Sequence, residues 1–225
     1  MPRVAGMSVA RRPSVSPIKP AGDRTTFVRQ AFRLESLTIG WLTIEAVVAL
    51  VSGVGAGSLV LIAFGLDSVI ELISAGALVW RLSVELRHGQ AFSEGAERLA
   101  SRIGGVLLFV LATYVLLAAS WNLWDRHSEE FSLPGLILTI LALPIMRYLA
   151  RRKIDLADKL GSRALRADAV EAITCGWLSL VALVSLAAQA LVGFWWIDSV
   201  GSLAIVWLLV KEGREAWSGG CRDDC

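Results

Sequence analysis

The stretch "DSVIE", residues 67–71, sets two carboxylates four residues apart inside an apolar run, with "AGSLVLIAFG" before it and "LISAGALVW" after it. A second stretch, "DAVEAITC" at 168–175, does the same with Glu171 and Cys175. An ionised carboxylate in hydrocarbon is costly, so such residues persist where they have a partner or a task. In a helix, residues four apart stack on one face, so Asp67 and Glu71 point together, as do Glu171 and Cys175. Two such faces turned toward each other supply three oxygens and one sulfur. That set suits tetrahedral zinc and also accepts iron(II), cobalt or manganese, the thiolate favouring the softer ions. Magnesium and calcium fit less well, since both want more oxygen ligands.

Charge balance adds a second expectation. Fully deprotonated, the four ligands carry four negative charges, and a divalent ion cancels half of them. The remainder is untenable at low dielectric unless protons are taken up when the metal leaves. Metal for proton exchange follows. The competing reading is a polar pair that locks two helices together, for which hydrogen-bonded carboxylic acids would suffice.

The elements that must position these residues are membrane spans. The chain has 225 residues, 55% of them hydrophobic, and the apolar residues arrive in runs of about twenty, the length that crosses a bilayer as a helix. Six spans are predicted, at 36–54, 57–80, 103–124, 131–149, 167–192 and 195–212, giving an all-α membrane protein. The turns "GVGAG" and "VGF" are short and uncharged, so spans one and two form one hairpin and spans five and six another. Of the 22 Lys and Arg residues, seven precede the first span, four lie from Arg81 to Arg102, seven from Arg147 to Arg166 and three (Lys211, Arg214 and Arg222) at the C-terminal end. Only Arg126, in the turn "DRHSEE", falls on the other side, so both termini are predicted to be cytosolic. Trp80, Trp121, Trp124, Trp195, Trp196 and Trp217 sit near span ends, as an interfacial belt would have them. The words "LDSVIEL", "ADAVEAI" and "IDSVGSL" echo one another in spans two, five and six, a trait of transporters built from repeats.

Residues 1–33 read as a disordered, basic cytosolic segment, 34–217 as the six-span domain, and 218–225 as a cysteine-containing cytosolic tail. The first residues lack the apolar core of a secretory signal and the clear amphipathicity of a transit peptide. The three cysteines do not form a disulfide framework.

The stretch "GSLVLIAFGLDSVIELISAGALVWRL" together with "ADAVEAITCGWLSLVALVSLAAQALVGFWWIDSVGSLAIVWLLVKEGREAW" resembles the transmembrane domain of the cation diffusion facilitator (cation efflux) family. It is particularly similar to short bacterial members that end after span six, without the usual C-terminal cytosolic domain. The resemblance implies a six-helix unit, usually a homodimer, in a bacterial inner membrane, exporting zinc or a similar divalent cation in exchange for protons. It also implies a metal site made by a pair from span two and a pair from span five, here Asp67 with Glu71 and Glu171 with Cys175. In the family these are typically Asp or His with Asp, then His with Asp, so this chain keeps the spacing and changes the composition. A carboxylate in place of a neutral imidazole adds negative charge and strengthens the expected proton coupling.

Other residues have plainer competitors. Glu45 in span one lies at a depth close to that of Asp67, as an accessory ligand, a proton carrier, or a carboxyl bonded to a neighbouring helix. Asp168 and Asp198 near span starts read as helix caps, with cation access or proton carriage as the alternative. Arg163 or Arg166 can pair with Asp168 in solvent. "CRDDC" at 221–225 offers Cys221 and Cys225 for soft-metal capture or is an incidental tail. His88 and His127 read as solvated, and the Arg-rich 147–166 segment reads as an orientation signal rather than a nucleic-acid patch. No histidine lies in any span to serve a nucleophile, so an enzyme is disfavoured and no catalytic cofactor is expected. A membrane metalloenzyme and a non-transporting metal sensor or scaffold remain the alternatives, with the metal expected as cargo.

Overall fold

Three glycines in the left-handed region turn the chain where the hydrophobic runs end. Gly57 (φ 67°) closes the first helix, Gly161 (φ 61°) the fourth and Gly193 (φ 66°) the fifth. At the first two, the following serine N–H reaches back to a carbonyl of the last turn, Ser58 to Gly53 at 2.9 Å and Ser162 to Ala157 at 3.1 Å. This satisfies carbonyls that the helix end leaves orphaned, which only a residue without Cβ does at no steric cost.

The computed structural model describes residues 21–88, 94–125 and 130–217. Six helices make it up: α1 (Ala21–Ala56), α2 (Leu59–His88), α3 (Glu94–Asp125), α4 (Leu133–Leu160), α5 (Arg163–Val192) and α6 (Ile197–Trp217). There is no strand among the described residues. Helices α1 to α5 contain stretches long and apolar enough to cross a membrane, and the shorter α6 completes the six-helix bundle against α3 and α5. The closest partnerships are α1 with α2, α4 with α5, and α3 with α6, while α2 also touches α3, α5 and α6. The helix that carries Asp67 and Glu71 is thus the central one. Large apolar side chains such as Val54, Leu117, Trp121 and Leu191 point outward, an arrangement suited to lipid rather than water.

Close approach of α1 and α2 depends on Gly65. A Cβ placed there would come within 2.8 Å of the Leu50 Cγ and 3.0 Å of the Leu50 backbone nitrogen. Small residues permit such contact where no hydrophobic drive between helices exists.

The helices overrun the spans expected from hydropathy. At about 1.5 Å per residue, the 36 residues of α1 far exceed the hydrocarbon thickness. Its extra turns are held by packing: Val28 and Ala31 join Leu78, Leu82, Leu156, Ala157, Leu160 and Leu165 in a second apolar cluster. Arg24 donates to the Leu160 carbonyl at 3.3 Å, and the Lys159 ammonium lies 5.6 Å from the Phe27 ring centroid. The segment from Arg147 to Arg166, expected as a basic loop, is instead the continuous end of α4, a two-residue turn at Gly161 and Ser162, and the start of α5. Its residues recur at helical spacing on a buried face (Met146, Leu149, Ala150, Lys153, Leu156, Ala157, Leu160), which explains why the helix does not stop at the arginines.

Candidate metal centre between the second and fifth helices

Helix α2 runs from the turn end of the bundle toward the end where the lysines and arginines gather, and α5 runs the opposite way. Glu71 on α2 and Glu171 on α5 therefore lie nearer the basic end, and Asp67 and Cys175 one turn further in. Asp67 is 6% exposed, Glu71 5% and Cys175 1%; Glu171 is half-buried. All four face the interface between helices rather than lipid. Asp67 is an electrostatic neighbour of Glu171, and the Cys175 sulfur faces Glu71 and Asp67. Ser74 of α2 stands beside Glu171. The two predicted pairs do meet across α2 and α5. Among the described residues, no three His, Cys, Asp or Glu side chains are gathered tightly enough to hold one metal ion, so the four are neighbours and do not form a closed coordination shell.

Glu45 of α1 is the fifth member. It is fully buried, and its carboxylate accepts from the Ser68 hydroxyl at 2.8 Å, from the Trp41 indole N–H at 2.7 Å and from the Cys175 thiol at 3.4 Å. Glu45 is thus a carboxyl bonded to neighbouring helices, and one of the groups it bonds is the Cys175 thiol. Glu71 is different: neither of its carboxylate oxygens accepts a well-formed hydrogen bond, although the side chain is buried and lies beside the Cys175 thiol. A buried carboxylate without donors is expensive and calls for a physical explanation.

Asp168 corrects an expectation. The cap of α5 is Ser162, whose hydroxyl accepts from the Leu165 N–H at 3.4 Å, and Arg166 pairs with Asp158 at 2.8 Å. Asp168 instead is 3% exposed and accepts a short hydrogen bond from the Lys153 ammonium. Lys153, fully buried, also lies 3.1 Å from Glu35 Oε2 on α1, and Glu35 is fully buried too. Neither Glu35 nor Lys153 stands out in the sequence as a site residue. The signal is nonetheless present in α4, where Lys153 occupies a step of the apolar stripe that should hold a core residue.

Asp198 sits at the other end. Its Oδ2 accepts from the Leu59 and Val60 N–H groups at 2.8 and 3.1 Å, and its Oδ1 from the Ser58 hydroxyl at 2.5 Å. It caps a helix as expected, but the helix is α2, not its own. At about 1.5 Å per residue, Leu59 lies roughly 12 Å along α2 from Asp67, well away from the centre. Cys221, Cys225 and His127 lie outside the described residues, as does the side chain of His88.

Residues 37–218 match the cation efflux transmembrane domain. A protein of Synechocystis sp. described as an uncharacterized transporter is 28% identical over 154 residues, which are 66% of this chain and 49% of that protein. The chain thus spans about half the length of this relative. The domain match runs from α1 to α6 and takes in every residue of the α2–α5 centre, so the chain belongs to the cation efflux family of membrane transport proteins.

Proposed function

We propose that this protein exports a divalent transition-metal cation, zinc foremost, from the cytosol in exchange for protons. The observation that carries this reading is Glu71: a buried carboxylate on the central helix, neither oxygen accepting a well-formed hydrogen bond, facing Asp67, Cys175 and Glu45. Asp67, Glu71, Glu171 and Cys175 serve as the ligands, and the carboxylates accept protons when the metal departs. The Cys175 thiol must lose its proton to bind the ion, and Glu45 is the acceptor already bonded to it. Closing the four around one ion requires movement between α2 and α5, which alternating access supplies by rocking helix pairs about the site.

In this reading the basic end of the bundle faces the cytosol, with both termini there, in the plasma membrane of a bacterium, and the protein works as a homodimer. Its partners are the metal ion, protons and lipid; neither nucleic acid nor a catalytic cofactor takes part. The test is purified protein in vesicles with an imposed pH gradient, comparing zinc, iron, cobalt, manganese and cadmium, with Asp67→Ala as control. Gradient-dependent flux lost in Asp67→Ala supports exchange. Flux indifferent to the gradient defeats it, stoichiometric binding without flux indicates a sensor, and a processed lipid or peptide product indicates an enzyme.

A further inference from the structure

The buried trio Glu35, Lys153 and Asp168 is not needed to hold a metal at Asp67, yet it ties α1, α4 and α5 together on the basic side of that centre. Asp168 precedes Glu171 by three residues, roughly 4.5 Å along α5, and Glu35 precedes Glu45 by ten, roughly 15 Å along α1. The trio therefore lies between the basic mouth of the bundle and the candidate ligands. Lys153 is also an electrostatic neighbour of Glu71 and Glu171, so no further charged layer separates the two groups.

Its composition is unusual for a purely structural tie. Burying three charges is costly, and apolar residues of similar volume would bind the helices at least as well. The charges do not balance either, with two carboxylates against one ammonium. Glu35 Oε1 and Asp168 Oδ1 are both buried with no N–H or O–H donor on them, and the two carboxyl groups lie within hydrogen-bonding reach of each other. Two carboxylates from different helices, drawn together and bridged by one cation, are what a divalent ion would bridge in its turn.

We infer that Lys153 is a tethered cation that bolts the basic-end access to the metal centre, holding Glu35 and Asp168 in the place where an incoming divalent cation displaces it. Displacement frees α1 from α4 and α5 and opens the way to Glu171 and Glu71; return of the ammonium closes it behind the ion. A lysine suits this task because its long stem keeps it attached while its head group exchanges. The purpose assigned to the bolt rests on the transporter reading, but the bolt itself can be tested without metal or flux.

The experiment uses the full chain with Cys221→Ser and Cys225→Ser, reconstituted in vesicles, and follows the rate at which a small membrane-permeant maleimide modifies Cys175. The neutral variant Glu35→Gln, Lys153→Met, Asp168→Asn removes all three charges without stranding any of them, so it tolerates folding. It is expected to label about tenfold faster or more than the otherwise native protein, since access is set by local opening. The exchange Glu35→Lys with Lys153→Glu keeps two carboxylates and one ammonium and should return the rate toward the native value. A neutral variant labelled no faster than native overturns the bolt. If labelling behaves as expected while the native protein shows no metal flux, the transporter reading fails and the bolt stands; flux with unchanged labelling sinks the bolt and leaves transport standing.

Discussion

The Cys175 thiol on α5 donates to the Glu45 carboxylate on α1 across 3.4 Å, at a point where the Ser68 hydroxyl of α2 reaches the same oxygen. Three helices thus converge on one carboxylate oxygen, Glu45 Oε1, which accepts from both the hydroxyl and the thiol. The sulfur is also what sets the proposed ligand set apart from an all-oxygen one.

Cys175→Ser keeps a donor to Glu45 and removes the soft ligand. Zinc and cadmium should lose about 10- to 100-fold in affinity, while manganese, indifferent to sulfur, changes less. Competition between metals in vesicle uptake reads this directly. Equal losses for all ions would mean that Cys175 packs the site without binding the metal.

Glu71 should give up a proton, or a compensating cation, when the metal arrives. In Glu71→Gln, metal binding should release roughly one proton fewer per ion. Calorimetry in buffers of different ionisation enthalpy counts those protons. An unchanged count would remove Glu71 from the coupling, whatever happened to affinity.

The helices and the two four-residue pairs of polar side chains are legible in the sequence because each rests on a local pattern. Runs of about twenty apolar residues leave few alternatives in a membrane, and four-residue spacing forces Asp67 beside Glu71. What lies beyond reach depends on the third dimension. Glu35 and Lys153 are 118 positions apart, and neither has meaning until α1 is seen against α4. The string "ARRKIDLADK" places Lys153 among loop cations, yet the apolar stripe on the same helix face already argues that the helix continues through it. Asp198 shows the same limit in milder form. A carboxylate at a helix start reads correctly as a cap, but which helix it caps depends on how α6 returns to the start of α2.

That cap yields a stability prediction. Asp198→Ala strands two backbone N–H groups and the Ser58 hydroxyl at a buried helix end, and should lower stability by about 1–3 kcal/mol. Asp198→Asn retains an acceptor and should recover part of the loss. Thermal unfolding in detergent measures both, and metal selectivity in either variant should stay native because the cap lies far from the centre. A selectivity change would place Asp198 in the transport path after all.

Gly65 offers a test of helix approach. Valine there must displace Leu50, so Gly65→Val should cost about 1–3 kcal/mol by overpacking the α1–α2 seam. Leu50→Ala vacates the contested space, so the double variant should be more stable than the two single losses added together. Simple additivity would mean that the seam accommodates valine by a shift elsewhere.

Two lysines six positions apart on α4 should differ sharply in what they contribute. Lys159 pairs with Asp155 at 2.7 Å, but both side chains are about two-fifths to one-half exposed, and such pairs are worth about 0–1 kcal/mol. Lys159→Ala should be nearly silent apart from its contact with Phe27. Lys153 is buried between two buried carboxylates, and removing it alone leaves both without a counter-ion. Lys153→Ala should therefore destabilise by about 3–5 kcal/mol. High salt should weaken the already small Lys159 effect and leave that of Lys153 almost untouched, because a fully buried pair is screened much less than an exposed one. Thermal unfolding of both variants at low and high ionic strength separates the cases. If the two lysines proved equally dispensable, the trio would be open to water and the interior of the bundle far more polar than its packing indicates.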